Sequence, residues 1–286
     1  MDTPVLTDII VYPVKGCRGI SRDRASIWDT GLMWDREWMI VDRDGTFVSQ
    51  RTVPALARIE TATDLNALVL RAPVHGRLFL PLALFGGPSR EVTVHRDRMH
   101  AIDCGDRAAE WLRAVLGGDY RLVRKDAGTV RPVPSRARPD ARTAFADAFP
   151  LLAIGSPSLR DLNARIAARG GEPLRMDRFR PNLVVDGCAP YAEDAWREFR
   201  IGEITFVGEK PCTRCSVTTV DQQTGVRGTE PLATLATYRK TADGVIFGTN
   251  VTHRGPGECD ATGTICGTRE IAIGTPIEVL ERSEST

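Results

Sequence analysis

Short runs of β-branched and other apolar residues, cut every few positions by glycine, proline or aspartate, recur along most of this chain, a pattern that favours sheets over helices. Val5–Val14 reads as a strand ending at Pro13. Trp38–Asp42 and Thr46–Val48 flank Arg43-Asp44-Gly45, where the glycine supplies positive φ, so a hairpin is expected there. Ala67–Leu70, Arg77–Leu80 and Glu91–His95 continue the β character, as do Leu183–Val185, Glu198–Ile201, Ile204–Val207, Ser216–Val220 and Ile277–Leu280. Helical spacing shows in Arg107–Leu116, which stops at Gly117-Gly118, in Pro157–Ala168 with Ser156 as N-cap, and in the short Pro231–Arg239. The expected fold is mainly β with flanking helices (α+β), arranged as two barrel-like units rather than a doubly wound parallel sheet.

A chain of 286 residues suits two domains. Residues 125–142 (K-D-A-G-T-V-R-P-V-P-S-R-A-R-P-D-A-R) show no period, which marks a linker over 126–145 between domains at 1–125 and 146–286. The net charge of +1 offers no global field for nucleic acid or an anionic membrane, so any anion site must be local. No apolar run approaches the ~20 residues of a membrane helix. Met1-Asp2-Thr3-Pro4 leads straight into a strand-like segment rather than a signal peptide, and a cytoplasmic protein is expected. Seven cysteines are an odd number in a chain too long to need staples, so free thiols are expected. The four histidines, at 75, 95, 100 and 253, stand in no H-x-x-x-H or H-x-E pattern, which argues against the common zinc hydrolases.

The sharpest local signal is Pro211-Cys212-Thr213-Arg214-Cys215. One C-x-x-C suits a redox dithiol, half a zinc site or a single thiolate ligand, and equally two partly buried cysteines in a turn. The dithiol needs a helix N-terminus, whereas a strand-like run follows here. Zinc needs a second pair, and Cys259 and Cys266 are separated by six residues, outside the usual spacing. A soft thiolate beside Arg214 suits a redox transition metal. Lys15, Arg51, Arg180 and Arg214 all fall at expected element ends, where sites are built, and guanidinium forks match phosphate. Ser156, at an expected helix N-terminus, adds backbone donors of the kind that hold phosphate. Solvated surface arginine is the ordinary reading of each cation alone. Trp28, Trp34 and Trp38 are read as core, Glu193 and Asp194 as an acidic turn ahead of Trp196, and His253 as part of a glycine-rich loop.

Several blocks together resemble the MOSC-domain proteins with an N-terminal β-barrel, the group of the mitochondrial amidoxime reducing component and its bacterial relatives. They are Y-P-V-K-G-C-R-G, D-R-E-W-M-I-V-D-R-D-G-T-F-V-S-Q-R, F-A-D-A-F-P-L-L, S-L-x-x-L-N, F-R-P-N-L-V-V-D-G, E-D-A-W and K-P-C-T-R-C-S-V-T-T-V-D-Q-Q-T-G, in that family's order. The resemblance implies an N-terminal β-barrel-like domain followed by a MOSC β-barrel domain. It implies a molybdenum pterin-dithiolene cofactor (molybdopterin) without a nucleotide, held by one protein thiolate at Cys215, with Cys212 as neighbour. By the same resemblance, cofactor contacts fall on Lys15, Gly16, Arg51, Gly155, Ser156, Arg180, Asn182, Thr213, Arg214 and Phe247. The implied activity is a molybdenum-dependent oxidoreductase that reduces N-hydroxylated compounds such as amidoximes and hydroxylamines. Without a fused iron–sulfur domain of the kind some bacterial relatives carry, electrons are expected from a separate ferredoxin, flavoprotein or cytochrome. Two rival readings are a sulfur-carrier or cofactor-sulfuration module with a persulfide on Cys215, and a non-catalytic cofactor-binding protein.

Overall fold

The strands are held in four sheets in a computed structural model, which describes residues 3–64, 66–82, 87–254 and 269–283. The largest runs Ile277–Arg282, Trp196–Ile201, Ile204–Thr213, Gly244–His253, Leu151–Gly155, Leu183–Asp186, Val5–Val11, Ile20–Arg22, with Lys240–Thr241 beside Gly244–His253. Its one parallel pair, Leu151–Gly155 with Leu183–Asp186, is bridged by helix α2 (Ser156–Ala167). The remaining neighbours are antiparallel. A five-stranded sheet runs Ser89–Val94, Asp97–Asp103, Tyr120–Lys125, Trp38–Asp42, Val14–Lys15. Two three-stranded sheets complete the set, one of Glu60–Thr63, Ala67–Ala72 and Gly76–Pro81, the other of Glu270–Ala272, Arg24–Trp28 and Gly31–Leu32.

The mainly β expectation holds, but no sheet among the described residues closes into a barrel by continuous pairing. The large sheet is drawn round by an isolated bridge of Val5 with Pro276, and by the Leu6 N–H bonded to the Thr275 carbonyl at 3.0 Å. Alternation explains why these segments pack. Leu6, Ile9 and Val11 from the first strand meet Leu183, Val185, Phe199, Phe206 and Val251 in one core. A second core gathers Val14, Trp38, Ile40, Leu70, Leu80 and Leu122 under Ala108 and Leu112 of α1 (Asp106–Leu116). Helix α1 stops at Gly117, whose φ of 75° is left-handed, as its glycine pair suggested.

Three local expectations need correction. Ser216–Val220 is not a strand: Ser216–Thr219 is a 3-10 helix, because the Thr218 and Thr219 hydroxyls bond back to the carbonyls of Cys215 (2.9 Å) and Ser216 (2.8 Å). The N-cap of α2 is Gly155, and Ser156 is already helical. Pro231–Arg239 shrinks to the single turn α3 (Leu232–Leu235). Residues 126–145, aperiodic in sequence, contain an isolated bridge of Pro132 with Arg142 and are nonetheless tied down. Arg131 and Arg138 are 5% and 8% exposed, bonded respectively to Asp97 and the Asp147 carbonyl, and to Asp140 and the His253 carbonyl.

Candidate functional site

A cleft of about 310 Å³ opens where residues 15–16, 36 and 47–51 meet residues 146–152, 179–182 and 210–218. One wall carries Lys15, Gly16, Arg36, Phe47 and Arg51, and the other carries Phe179, Arg180, Asn182, Cys212, Thr213, Arg214 and Cys215, with 146–149 crossing between. Six cationic side chains line it among the described residues (Lys15, Arg36, Arg51, Arg180, Lys210, Arg214) against one carboxylate, Asp147. A chain of net charge +1 has thus gathered a strong local excess of positive charge.

Each cation is aimed by its own anchors. Lys15 ends a short strand paired parallel to Trp38–Asp42, and its ammonium donates to the Phe145 carbonyl at 2.7 Å and to Asp147. Burial pulls the Lys15 ammonium below its ordinary value while Asp147 pushes it back. Desolvation works to raise the Asp147 carboxyl, but its side chain is 68% exposed, and Lys15 and His95, whose Nε2 is 3.1 Å away, hold it well below the usual carboxylate range. Arg180 sits at φ 55° just after the 3-10 helix Met176–Phe179, a left-handed turn that throws its side chain back over the Tyr12 ring, 4.2 Å from the centroid. It donates to the Cys17 carbonyl at 2.7 Å, and burial, with Arg36 beside it, lowers its pKa. Asn182, 1% exposed, is fully employed. Its amide donates to the Ile10 carbonyl and Asp35, and its oxygen accepts from Arg36 (2.9 Å) and the Leu152 N–H (3.3 Å).

The thiols come from the far end of the strand Ile204–Thr213. Pairing to Gly244–His253 continues through Thr213 opposite Ile246 and the Arg214 N–H bonded to the Val245 carbonyl at 2.7 Å, so the chain leaves the sheet at Cys215. The Cys215 side chain is exposed, and its sulfur lies 3.5 Å from Arg51 Nη1. Cys212 is half-buried and accepts from Arg214 Nη1 at 3.0 Å, while Arg214 Nη2 donates to the Phe179 carbonyl at 2.6 Å. Arg214 Nε is buried without a partner and is free to donate. Each sulfur therefore has its own guanidinium.

Of the residues singled out from sequence, Lys15, Gly16, Arg51, Arg180, Asn182, Thr213, Arg214 and Cys215 converge on this cleft. Gly155, Ser156 and Phe247 lie outside its lining. The N-terminus of α2 is occupied by Glu193, 1% exposed, which accepts from the Gly155 N–H at 3.0 Å and the Ser158 hydroxyl at 2.7 Å. Phe247 is fully buried one layer back, its ring tilted against that of the lining residue Phe179 with centroids 4.3 Å apart. His253 faces a separate cavity beside Asp29 and Arg138. Arg36, which also lines the cleft, was missed as a site residue. A charge between Asp35 and Glu37 carries no signal of its own, and its direction depends on a left-handed φ of 50°.

The donor set fits a cofactor carrying both a soft metal and a phosphate. One exposed sulfur suits the metal, guanidinium forks and a buried ammonium suit the phosphate, and phenyl rings at 47, 149 and 179 provide apolar wall. Among the described residues no group of three His, Cys, Asp or Glu side chains comes together to hold an ion. Cys259 and Cys266 lie outside the described residues.

Residues 3–119 match the MOSC N-terminal beta barrel domain and residues 140–278 the MOSC domain. The chain is 36% identical over 241 residues to mitochondrial amidoxime-reducing component 1 of Mus musculus, covering 80% of this chain and 69% of that protein. It is 35% identical over 246 residues to the Homo sapiens protein of the same name, covering 80% and 70%. It is also 36% identical over 262 residues to a molybdenum cofactor sulfurase of Oryza sativa subsp. japonica, covering 85% of this chain but 32% of that protein, so it spans about a third of the sulfurase's length. With the two domain matches following one another along the chain, it belongs to the MOSC family, in the branch that carries a MOSC N-terminal beta barrel domain ahead of the MOSC domain.

Proposed function

We propose that this chain holds a molybdenum cofactor in the cleft, with Cys215 as its single protein thiolate, and reduces N-hydroxylated compounds such as amidoximes or hydroxylamines. The observation that carries the reading is the exposed Cys215 sulfur, faced by Arg51 in a cleft where cations outnumber carboxylates six to one among the described residues. Relatives named amidoxime-reducing components support it. When bound, the cofactor supplies the two-electron redox chemistry that removes oxygen from the substrate nitrogen. The chain's own residues do the rest. Lys15, Arg36, Arg51 and Arg180 hold the phosphate, Arg214 keeps the Cys212 sulfur turned to its own guanidinium, and Phe47, Phe149 and Phe179 limit water at the cleft. Asp147, kept ionised by Lys15 and His95, fixes the ammonium that faces the cofactor.

Electrons come, in this proposal, from a separate redox protein across a small contact, below the ~1,200 Å² usual for redox encounters, and the rate falls as salt screens the basic mouth. Placement in the cytoplasm belongs to the same proposal. No helix among the described residues is long and apolar enough to cross a membrane. The test is molybdenum stoichiometry in protein from a host that makes the cofactor, followed by benzamidoxime reduction. Near one metal per chain and turnover with dithionite-reduced viologen, but none with NADH alone, are expected, since the sequence has no G-x-G-x-x-G opening a helix after a strand. Sulfur on Cys215 released by cyanide, without molybdenum, would replace this reading with cofactor sulfuration. Molybdenum without turnover would replace it with cofactor binding alone.

A further inference from the structure

Two buried glutamines join the walls of the cleft. Gln50 precedes Arg51, and Gln222 follows the 3-10 helix that Cys215 opens; they are 1% and 3% exposed. Their amides pair reciprocally, Gln50 Nε2 donating to Gln222 Oε1 at 3.0 Å and Gln222 Nε2 to Gln50 Oε1 at 2.9 Å. The other amide hydrogens go to main chain: Gln50 Nε2 also donates to the Gly16 carbonyl at 2.7 Å, and Gln222 Nε2 to the Val220 carbonyl at 2.9 Å. Both NH2 groups are therefore fully used, a closed arrangement that leaves no donor for water. Outside this ring, Arg227 Nη2 donates to the carbonyls of Gln50 (3.1 Å) and Arg51 (2.7 Å), and Arg18 Nη2 to that of Gln222 (2.8 Å).

Apolar side chains of the same size would fill this volume, so packing alone does not call for two amides. What the amides add is direction, because removing one leaves buried donors and acceptors of the other unmet. The direction they fix is that of Arg51 relative to Cys215. One amide is a single residue from Arg51, and the other bonds the Val220 carbonyl at the close of the Cys215 helix. Arg51 itself crosses 164 positions of sequence to reach the sulfur, from a partly exposed position where a long side chain has many rotamers.

We propose that the Gln50–Gln222 pair is the positioning element that holds the Arg51 guanidinium at the Cys215 sulfur. This deepens the reading above, resting on the same thiol, but the test uses the chain without cofactor, so a failed reductase assay leaves it standing. Alkylation of Cys215 is followed on its own peptide by mass spectrometry, with anionic iodoacetate and neutral iodoacetamide. A guanidinium beside the sulfur favours the anionic reagent, so the ratio of the two rates reports Arg51. Gln222→Met and Gln50→Met, each close to glutamine in size and placed on opposite walls, are expected to lower that ratio roughly two- to fivefold, the scale of a partly exposed ion pair. Arg51→Ala should lower it as far, and adding Gln222→Met to Arg51→Ala should lower it no further. A ratio that both methionine variants leave unchanged overturns the proposal, as does a further fall in the Arg51→Ala background. A general loosening of the fold raises both rates together, leaves their ratio alone and counts against it too.

Discussion

Two regions of this molecule offered themselves as anion sites, the start of α2 and the cleft, and they end differently. At α2 a carboxyl is already in place, Glu193, folded onto the Gly155 N–H from 38 positions away and onto the Ser158 hydroxyl. In the cleft, six cations converge around open space with one carboxylate among the described residues. A helix terminus is a local feature, so any carboxyl that packs against it consumes it. A constellation of distant cations exists only once the chain has folded, and carboxylates pair with two of the six, Asp147 with Lys15 and Asp35 with Arg36, so an excess of positive charge remains.

The largest expected effect sharpens the cleft side of this contrast. Cys215→Ser should abolish benzamidoxime reduction by viologen-reduced protein, while Cys212→Ser keeps a substantial fraction, because one thiolate is expected on the metal. Equal, complete loss in both folded variants would point to a dithiol site instead. Next comes Arg180→Ala, expected to weaken cofactor retention by roughly 1.5–3 kcal/mol, the range for a hydrogen bond to a charged group, with the fold surviving. Retained molybdenum per chain after dialysis measures it, and retention equal to wild type would break the link between these cations and the cofactor.

A smaller effect tests the α2 side. Burial raises the Glu193 carboxyl above the ordinary glutamate value, against the hydrogen bonds of Gly155 and Ser158. A carboxyl raised in the folded state contributes stability that is full below its unfolded pKa and is lost as pH rises through the folded one. Wild type should therefore lose Tm relative to Glu193→Gln as pH rises from the ordinary glutamate value toward neutrality, read from melting curves across pH 4–8. Parallel curves would mean that Glu193 titrates alike in both states. The smallest effect is Ser156→Ala, expected to change stability and cofactor retention by no more than about 0.5 kcal/mol, as for an ordinary substitution away from a site. A loss comparable to Arg180→Ala would restore the helix terminus as part of the binding site.

Much of the β character was legible from short-range pattern, since Ile204–Val207 or Trp38–Asp42 announce themselves by residue type. Even so, Ile204–Val207 proved to be the first part of Ile204–Thr213, because pairing with Gly244–His253 carries polar residues along with it. Ser216–Val220 misled for the opposite reason: its threonines have β-branched shape but used their hydroxyls on their own backbone. Residues 126–145 looked like unanchored linker because arginine in an aperiodic run is ordinarily solvated. Here Arg131 finds Asp97 and the Asp147 carbonyl, and Arg138 the His253 carbonyl, partners that only the fold supplies.

By itself the sequence determined most of the element types, the thiols of the C-x-x-C block and the residue kinds able to hold an anion, because these follow from nearest neighbours and side-chain chemistry. Tertiary structure alone decided that Lys15 and Arg214 share one cleft, that Arg36 joins them, and that Glu193 sits at the α2 terminus. The physical reason is range. Propensity and periodicity act over a few residues, whereas the contact of Arg51 with Cys215 spans 164 positions, and the paired amides that flank it stand 172 positions apart.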